Sequence, residues 1–66
     1  MRVTVNGEVK EFREGATLQQ IMEKLGIAEK VMAAAVNMDV VKKERWGSFS
    51  PKDGDRVELL HFVGGG

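Results

Sequence analysis

Apolar and polar residues alternate along the first six residues of the chain, with two valines on the same side. This alternation predicts a strand with one buried face. Asn6-Gly7 follows, a dipeptide that suits the positive φ angles of a tight hairpin turn. The return strand is predicted over residues 8–13. Because Val9 and Phe12 would lie on opposite faces of that strand, the pattern predicts a bulge or a change of register in it.

A helical pattern begins at Thr17. Thr17 and Gln20 have the spacing of a capping box, in which each side chain accepts a hydrogen bond from the backbone of the other residue. The apolar positions that follow recur every three or four residues and form one stripe; they are Leu18, Ile21, Met22 and Leu25. Gly26 suits the left-handed conformation that ends many helices. The sequence therefore predicts one amphipathic helix over residues 18–25.

The second half of the chain is predicted to form strands joined by turns. Residues 31–36 are apolar throughout and are predicted as a buried strand, because a glycine has already ended the helix before them. The turn that follows begins at Asn37, and we expect Asp39 to take a positive φ there. A very short strand is expected at Phe49. The clearest strand of the chain is predicted over residues 56–63.

These elements predict an α+β fold. A single helix can bury its one apolar stripe by crossing one face of a mixed sheet. The first and last strands are expected to pair in parallel at the centre of that sheet. The domain is predicted to span residues 1–63, with a flexible glycine tail over residues 64–66.

Composition narrows the range of functions. A chain of 66 residues and 7.3 kDa leaves little room for both a core and an enclosed catalytic pocket. Ten basic residues balance ten acidic ones, which argues against binding to nucleic acid or to an anionic membrane. There is no cysteine, no apolar run long enough to cross a bilayer, and no signal-peptide pattern. We expect a cytoplasmic protein that is not an enzyme and binds no cofactor.

The chain as given ends in Gly64, Gly65 and Gly66, directly after the last predicted strand. A glycine run is typical of a frayed chain end, because it has no side chains and large backbone freedom. Alternatively, the carboxylate of Gly66 is a reactive group. A bare tail could enter a narrow channel, meet the α-phosphate of ATP and leave the acyl adenylate open to a sulfur or amine nucleophile. The residues alone leave both interpretations open.

The last strand presents a candidate binding surface. If Val57 and Leu59 face the helix, alternation turns Leu60 and Phe62 outward, beside the glycines. Such an apolar pair suits contact with a protein partner, and the alternative is burial against a second layer. His61 is the only histidine, so we expect a structural or interface role for it and no metal site.

Several short segments follow one another along the chain: Val-Asn-Gly-Glu at 5–8, Glu-Gly-Ala-Thr-Leu at 14–18, Val-Asn at 36–37, Glu-Arg-Trp at 44–46, Asp-Gly-Asp-Arg-Val-Glu at 53–58 and His-Phe-Val-Gly-Gly-Gly at 61–66. In this order the sequence resembles the ThiS-type sulfur carrier proteins of thiamin biosynthesis. The resemblance covers essentially the whole chain. It implies a ubiquitin-like β-grasp fold, with a mixed sheet of about four to five strands crossed by one helix.

The resemblance also implies a chemistry. In this family a ThiF-like adenylating enzyme consumes ATP to activate the carboxylate of the terminal glycine. Sulfur from a persulfide donor protein then converts it to a thiocarboxylate, and thiazole synthase uses that sulfur to build the thiazole ring of thiamin. Carried over to this chain, Gly66 is the modified residue, and Gly64 and Gly65 form the access tail. The residues expected to dock on the partners are Leu60, His61 and Phe62.

Other functions remain open at this stage. The same chemistry serves carriers for molybdopterin and for tRNA thiolation, although molybdopterin carriers tend to be longer and to have a proline before the glycines. A β-grasp module that binds partners without covalent chemistry is a further alternative. The sequence also departs from the family at Met38, where a glycine often follows the asparagine of the turn. A third glycine at the end, where many members have two, is another departure.

Overall fold

The computed structural model describes residues 1–63, and the predicted tail over residues 64–66 lies outside them. In chain order the elements are β1 (Arg2–Val5), β2 (Glu8–Glu11), α1 (Leu18–Lys24), a 3₁₀ helix (Ala28–Lys30), β3 (Val31–Val36), β4 (Asp39–Val40), a second 3₁₀ helix (Lys43–Arg45) and β5 (Arg56–His61). The strands form one five-stranded sheet in the order β2-β1-β5-β3-β4. Only β1 and β5 pair in parallel. The predicted α+β fold with a central parallel pair is confirmed.

Helix α1 begins and ends as its sequence predicts, to within one residue. The Gln20 N–H donates to Thr17 Oγ1 over 3.1 Å, and the Thr17 N–H donates to Gln20 Oε1 over 3.0 Å. Gly26 has a φ of 74° just after the helix end. The apolar stripe is fully buried at Leu18, Ile21 and Met22 and half-buried at Leu25. No helix within residues 1–63 is long and apolar enough to cross a membrane.

The hydrophobic core lies between α1 and one face of the sheet. The residues that the two central strands contribute to it are Val3, Val5, Val57 and Leu59, as predicted from their alternation. Trp46 is also buried in this core, and its indole N–H donates to the Val41 carbonyl over 2.8 Å. The tryptophan therefore stabilises the core and offers no exposed ring to a ligand.

Strand β2 has neither the bulge nor the change of register that the sequence predicts. Its antiparallel pairing with β1 is regular along the whole strand. Val9 faces away from the core and is 65% exposed, whereas Phe12 lies just beyond the strand and is buried. The prediction was wrong because it required both apolar side chains to be buried by the sheet. A strand with one open face can leave Val9 in solvent.

The irregularity of the sheet lies in β3 instead. Ala33 lies opposite Leu60 on β5, but the residue opposite His61 is Val31. Met32 is therefore an additional residue without an opposite partner, which defines a β-bulge. The bulge leaves two successive residues, Met32 and Ala33, exposed on a strand that otherwise contributes to the core.

Two other expectations for the second half of the chain are wrong. The positive φ angles after β3 belong to Asn37 (50°) and Met38 (73°) and not to Asp39. A two-residue loop connects β3 directly to β4, so Asp39 is already part of the strand. Phe49 is not in a strand, although its carbonyl accepts a hydrogen bond from the Leu18 N–H over 2.8 Å at the start of α1.

Candidate functional site

The central strand β5 carries Leu60 and His61, two of the three residues predicted for docking, and two asparagines fix its position from either side. Asn6 and Asn37 each lie in the hairpin turn that follows a neighbouring strand. The Leu59 N–H donates to Asn6 Oδ1 over 2.7 Å, and Asn6 Nδ2 donates to the Leu59 carbonyl over 3.1 Å. On the other side, the Arg56 N–H donates to Asn37 Oδ1 over 3.0 Å. Sequence reasoning assigned Asn6 to a turn and missed this second role.

The outward residues of this segment are exposed, as their alternation predicts. Leu60 is 61% exposed and Phe62 is 63% exposed, whereas Val57 and Leu59 are buried. The two exposed side chains lie two and four residues before Gly64. Exposed apolar side chains at such a position suit contact with a protein partner. Their role in docking stays a prediction.

Strand β5 ends at His61, two residues earlier than the sequence predicts. The Phe62 N–H still donates to the Lys30 carbonyl over 3.1 Å, so the chain stays beside the start of β3 for one more residue. Alternation over the predicted strand would place Val63 on the same side as Val57 and Leu59, but Val63 is 84% exposed because strand pairing has already ended. The predicted reactive Gly66 and the access residues Gly64 and Gly65 lie outside the described residues.

Neither His61, at the end of β5, nor the acidic turn before β5 forms a metal site within residues 1–63. The His61 ring is partly buried, with Nδ1 at 3.1 Å from the Phe62 carbonyl. Asp53 accepts a hydrogen bond from the Arg2 N–H over 2.7 Å, and Asp55 accepts one from the Lys52 N–H over 2.8 Å. These carboxylates therefore bind the backbone. Within residues 1–63 no group of three histidine or acidic residues could hold a metal ion.

The sheet face opposite α1 is open to solvent. Val9, Val40 and Leu60 come from three different strands, lie on this outer face and are each at least 61% exposed. An apolar face of this kind is typical of a protein-binding surface. We call the outer sheet face around Leu60, together with Phe62, the docking face.

Comparison with known proteins identifies the family. The ThiS family model matches residues 3–66, and the chain belongs to this family. It is 27% identical over 66 residues to the sulfur carrier protein ThiS of Escherichia coli (strain K12), and the match covers 100% of both chains. It is also 30% identical over 66 residues to a thiazole synthase of Paramagnetospirillum magneticum (strain ATCC 700264 / AMB-1), of which it spans only 20%.

A solved structure confirms the fold at the level of coordinates. The crystal structure of the thiamine biosynthesis protein ThiS from Geobacter metallireducens superposes with a TM-score of 0.76 at 33% identity, and the match covers 100% of both chains. The five-stranded mixed sheet with one helix is therefore the β-grasp fold of this family, as the resemblance implies.

Proposed function

We propose that this chain is a sulfur carrier that donates sulfur for the thiazole ring of thiamin from a thiocarboxylate on Gly66. The observation that carries this proposal is the extent of the family match, which continues through the glycines to residue 66. The similarity to the Escherichia coli sulfur carrier, which covers both chains completely, supports the role of sulfur carrier for this chain. Both matches favour the thiamin pathway over molybdopterin or tRNA thiolation.

The proposed chemistry needs only a free α-carboxyl group from this chain. That group is ionised at neutral pH, and its oxygen can attack the α-phosphorus of ATP with release of pyrophosphate. The terminal sulfur of a persulfide then attacks the acyl carbon, and AMP leaves. A thiol reductant cleaves the resulting S–S bond, which leaves the thiocarboxylate on the carrier. Glycine suits these reaction steps because no Cβ hinders the approach of a nucleophile to its carboxyl carbon.

Partner proteins would supply the catalysis. In this proposal a ThiF-like adenylating enzyme binds and consumes ATP, a persulfide protein donates the sulfur, and thiazole synthase accepts it. The carrier itself binds no cofactor and works with these partners in the cytoplasm. The Paramagnetospirillum thiazole synthase contains a segment similar to the whole of this chain, which supports thiazole synthase as a partner.

The docking face would guide the carboxyl group into the partner active sites. Leu60 and Phe62 are exposed a few residues before the glycines, and His61 lies between them. When residues 64–66 enter a catalytic channel, these three side chains lie within six residues of Gly66 and so come close to the partner surface. We therefore propose that Leu60, His61 and Phe62 contact the adenylating enzyme.

The exchange of radiolabelled pyrophosphate into ATP tests the adenylation step. The adenylating enzyme should catalyse exchange with the intact chain and lose at least 90% of it when Gly65 and Gly66 are deleted, because the carboxylate then falls short of the nucleotide. A phenylalanine added after Gly66 should have the same effect. Gly65→Ala retains the tail length and the free carboxylate, so it should retain measurable exchange. Wild-type exchange by the deletion variant would contradict the proposal.

A further inference from the structure

A shallow depression of about 330 Å³ lies on the docking face, beside Leu60. Ala33 and Ala35, two residues apart on β3, contribute methyl groups to its lining. The longer side chains of Leu60 on β5 and Val40 on β4 flank it. Small side chains between longer ones on one sheet face leave a shallow, open hollow.

One charged residue lines the depression, and it is Glu58. The strand register places Glu58, Ala35 and Val40 side by side across three strands, so this carboxylate lies at the edge of a mainly apolar hollow in which Asn6 is the other polar residue. The ion pairs within residues 1–63 involve Glu8 and Glu14 but not Glu58. The depression therefore combines a small apolar surface with one negative charge available to a partner.

Chemistry excludes one possible occupant from this chain itself. Residues 64–66 are glycines, so they have no side chain to fill an apolar hollow, and a terminal carboxylate would be repelled by Glu58. A second copy packed face to face would bring two Glu58 carboxylates into one interface, with Arg56 of the same sheet face as the basic residue available to each. The occupant that we favour is a different protein with an apolar side chain next to a basic one, and self-association of the chain alone at the concentrations used below would contradict it.

The depression is too small to be a complete interface. A stable protein interface buries about 800 Å² on each partner, roughly a sixth of the 4609 Å² surface of this chain. Leu60 and Phe62 can contribute only part of that area, so the rest must come from the residues around them. The depression can instead select the partner, because a pocket that accepts one anchoring side chain often dominates the binding energy.

We propose that this depression is a specificity pocket that receives one apolar side chain of the ThiF-like adenylating enzyme, while an adjacent lysine or arginine of that enzyme pairs with Glu58. This inference rests on the proposed function, because it takes its partner from there. It adds Ala33, Ala35 and Glu58 to the residues that determine binding. It also states the chemistry of the partner surface: one apolar anchor with one basic neighbour.

The first test fills the depression. Ala35→Leu should weaken binding to the purified adenylating enzyme at least tenfold, because the added side chain occupies the space of the anchor. Thr4→Leu is the matched control: it adds apolar bulk to the same sheet face but outside the depression, and its Kd should stay within twofold of wild type. Calorimetric titration without ATP measures both values. Equal affinity of the two variants would overturn the proposal.

The second test reverses the charge. Glu58→Lys should weaken binding at least tenfold, and Glu58→Gln should make the affinity less sensitive to salt. Glu11→Lys is the matched control, since it makes the same change in net charge at the edge strand β2. Equal losses of affinity for Glu58→Lys and Glu11→Lys would mean that only the net charge of the chain matters. That result would contradict a specific ion pair between Glu58 and a basic residue of the enzyme.

A measurement on the wild-type chain avoids any dependence on the folding of variants. Addition of the adenylating enzyme to isotopically labelled chain should shift the amide resonances of Ala33, Ala35 and Glu58. Shifts confined to α1 would overturn the proposal. All these experiments omit ATP and sulfur donor, so they are independent of sulfur transfer. A chain that binds through the depression and never gains sulfur would refute the proposed function and leave this inference standing.

Discussion

Three residues other than glycine have a positive φ angle within residues 1–63: Asn6, Asn37 and Met38. Asparagine tolerates this conformation because its short polar side chain can hydrogen-bond locally, and both asparagines here do bond to neighbouring segments. Met38 has no such compensation. Its side chain is 88% exposed, so nothing in the core requires it at this position.

Met38→Gly should therefore stabilise the protein. A left-handed conformation costs an ordinary residue about 1–2 kcal/mol, and the backbone entropy of glycine in the unfolded chain offsets about 0.5–1 kcal/mol of that. We expect the free energy of unfolding to rise by about 0.5–1 kcal/mol in urea denaturation. Asp39→Gly, one residue later and without a positive φ, is the control and should be destabilising. If Met38→Gly lowered the free energy of unfolding and Asp39→Gly raised it, the turn geometry would be contradicted.

Substitutions of Phe62 and Phe12 compare an exposed phenylalanine with a buried one. Phe62 is 63% exposed and Phe12 is 9% exposed. Phe62→Ser should change the free energy of unfolding by less than about 0.5 kcal/mol, as surface substitutions usually do, and should weaken binding to the adenylating enzyme. Phe12→Ser should cost at least about 3 kcal/mol because it removes a buried ring. If Phe62→Ser unfolds the chain and each folded molecule binds normally, Phe62 belongs to the core.

At the scale of elements, the helix was predictable and the strand irregularities were not. The capping box at Thr17 and the glycine after the helix are local signals, so the sequence defines α1 to within one residue. The bulge at Met32 depends instead on how β3 pairs with β5, about 30 residues further along the chain. No local pattern records that register. Phe49 was misassigned for the same reason, since its backbone contact is with the distant start of α1.

Some features of the candidate site could likewise be predicted from the sequence, and others could not. Alternation along β5 predicted that Leu60 and Phe62 would be exposed, because period-two alternation is a local property of a strand. The depression beside Leu60 was not predictable, because it needs Ala33, Ala35 and Val40 from two other strands in a specific register. The bonds from Asn6 to Leu59 were missed because they join residues 53 positions apart.

Two substitutions along the apolar stripe of α1 test how closely its side chains pack against the sheet. A helix of seven residues is marginal alone, so its stability must come from the core. Ile21→Ala should lower the free energy of unfolding by about 2–5 kcal/mol because Ile21 is fully buried. Leu25→Ala should cost clearly less, since Leu25 is only half-buried. Denaturation midpoints like wild type for Ile21→Ala would mean that α1 packs on the sheet through a different face.

At the scale of the whole molecule, the two faces of the sheet have different environments. One face packs against α1 and forms the core, and the other remains open as the docking face. The central strand β5 takes part in both, because it buries Val57 and Leu59 and exposes Leu60. It also leads to the residues that carry the proposed chemistry. Bonding to β1 and β3 on both sides fixes the position from which residues 64–66 continue.

The most direct test of this account is the intact mass of the chain after incubation with its adenylating enzyme, ATP, a persulfide donor and a thiol reductant. Replacement of one carboxyl oxygen by sulfur should raise the mass by about 16 Da, and fragmentation should place the gain on the C-terminal fragment that contains Gly66. Omission of ATP should abolish it. An unchanged mass with an enzyme that is active in pyrophosphate exchange, or a gain on any other fragment, would contradict the assignment of Gly66 as the sulfur-carrying residue.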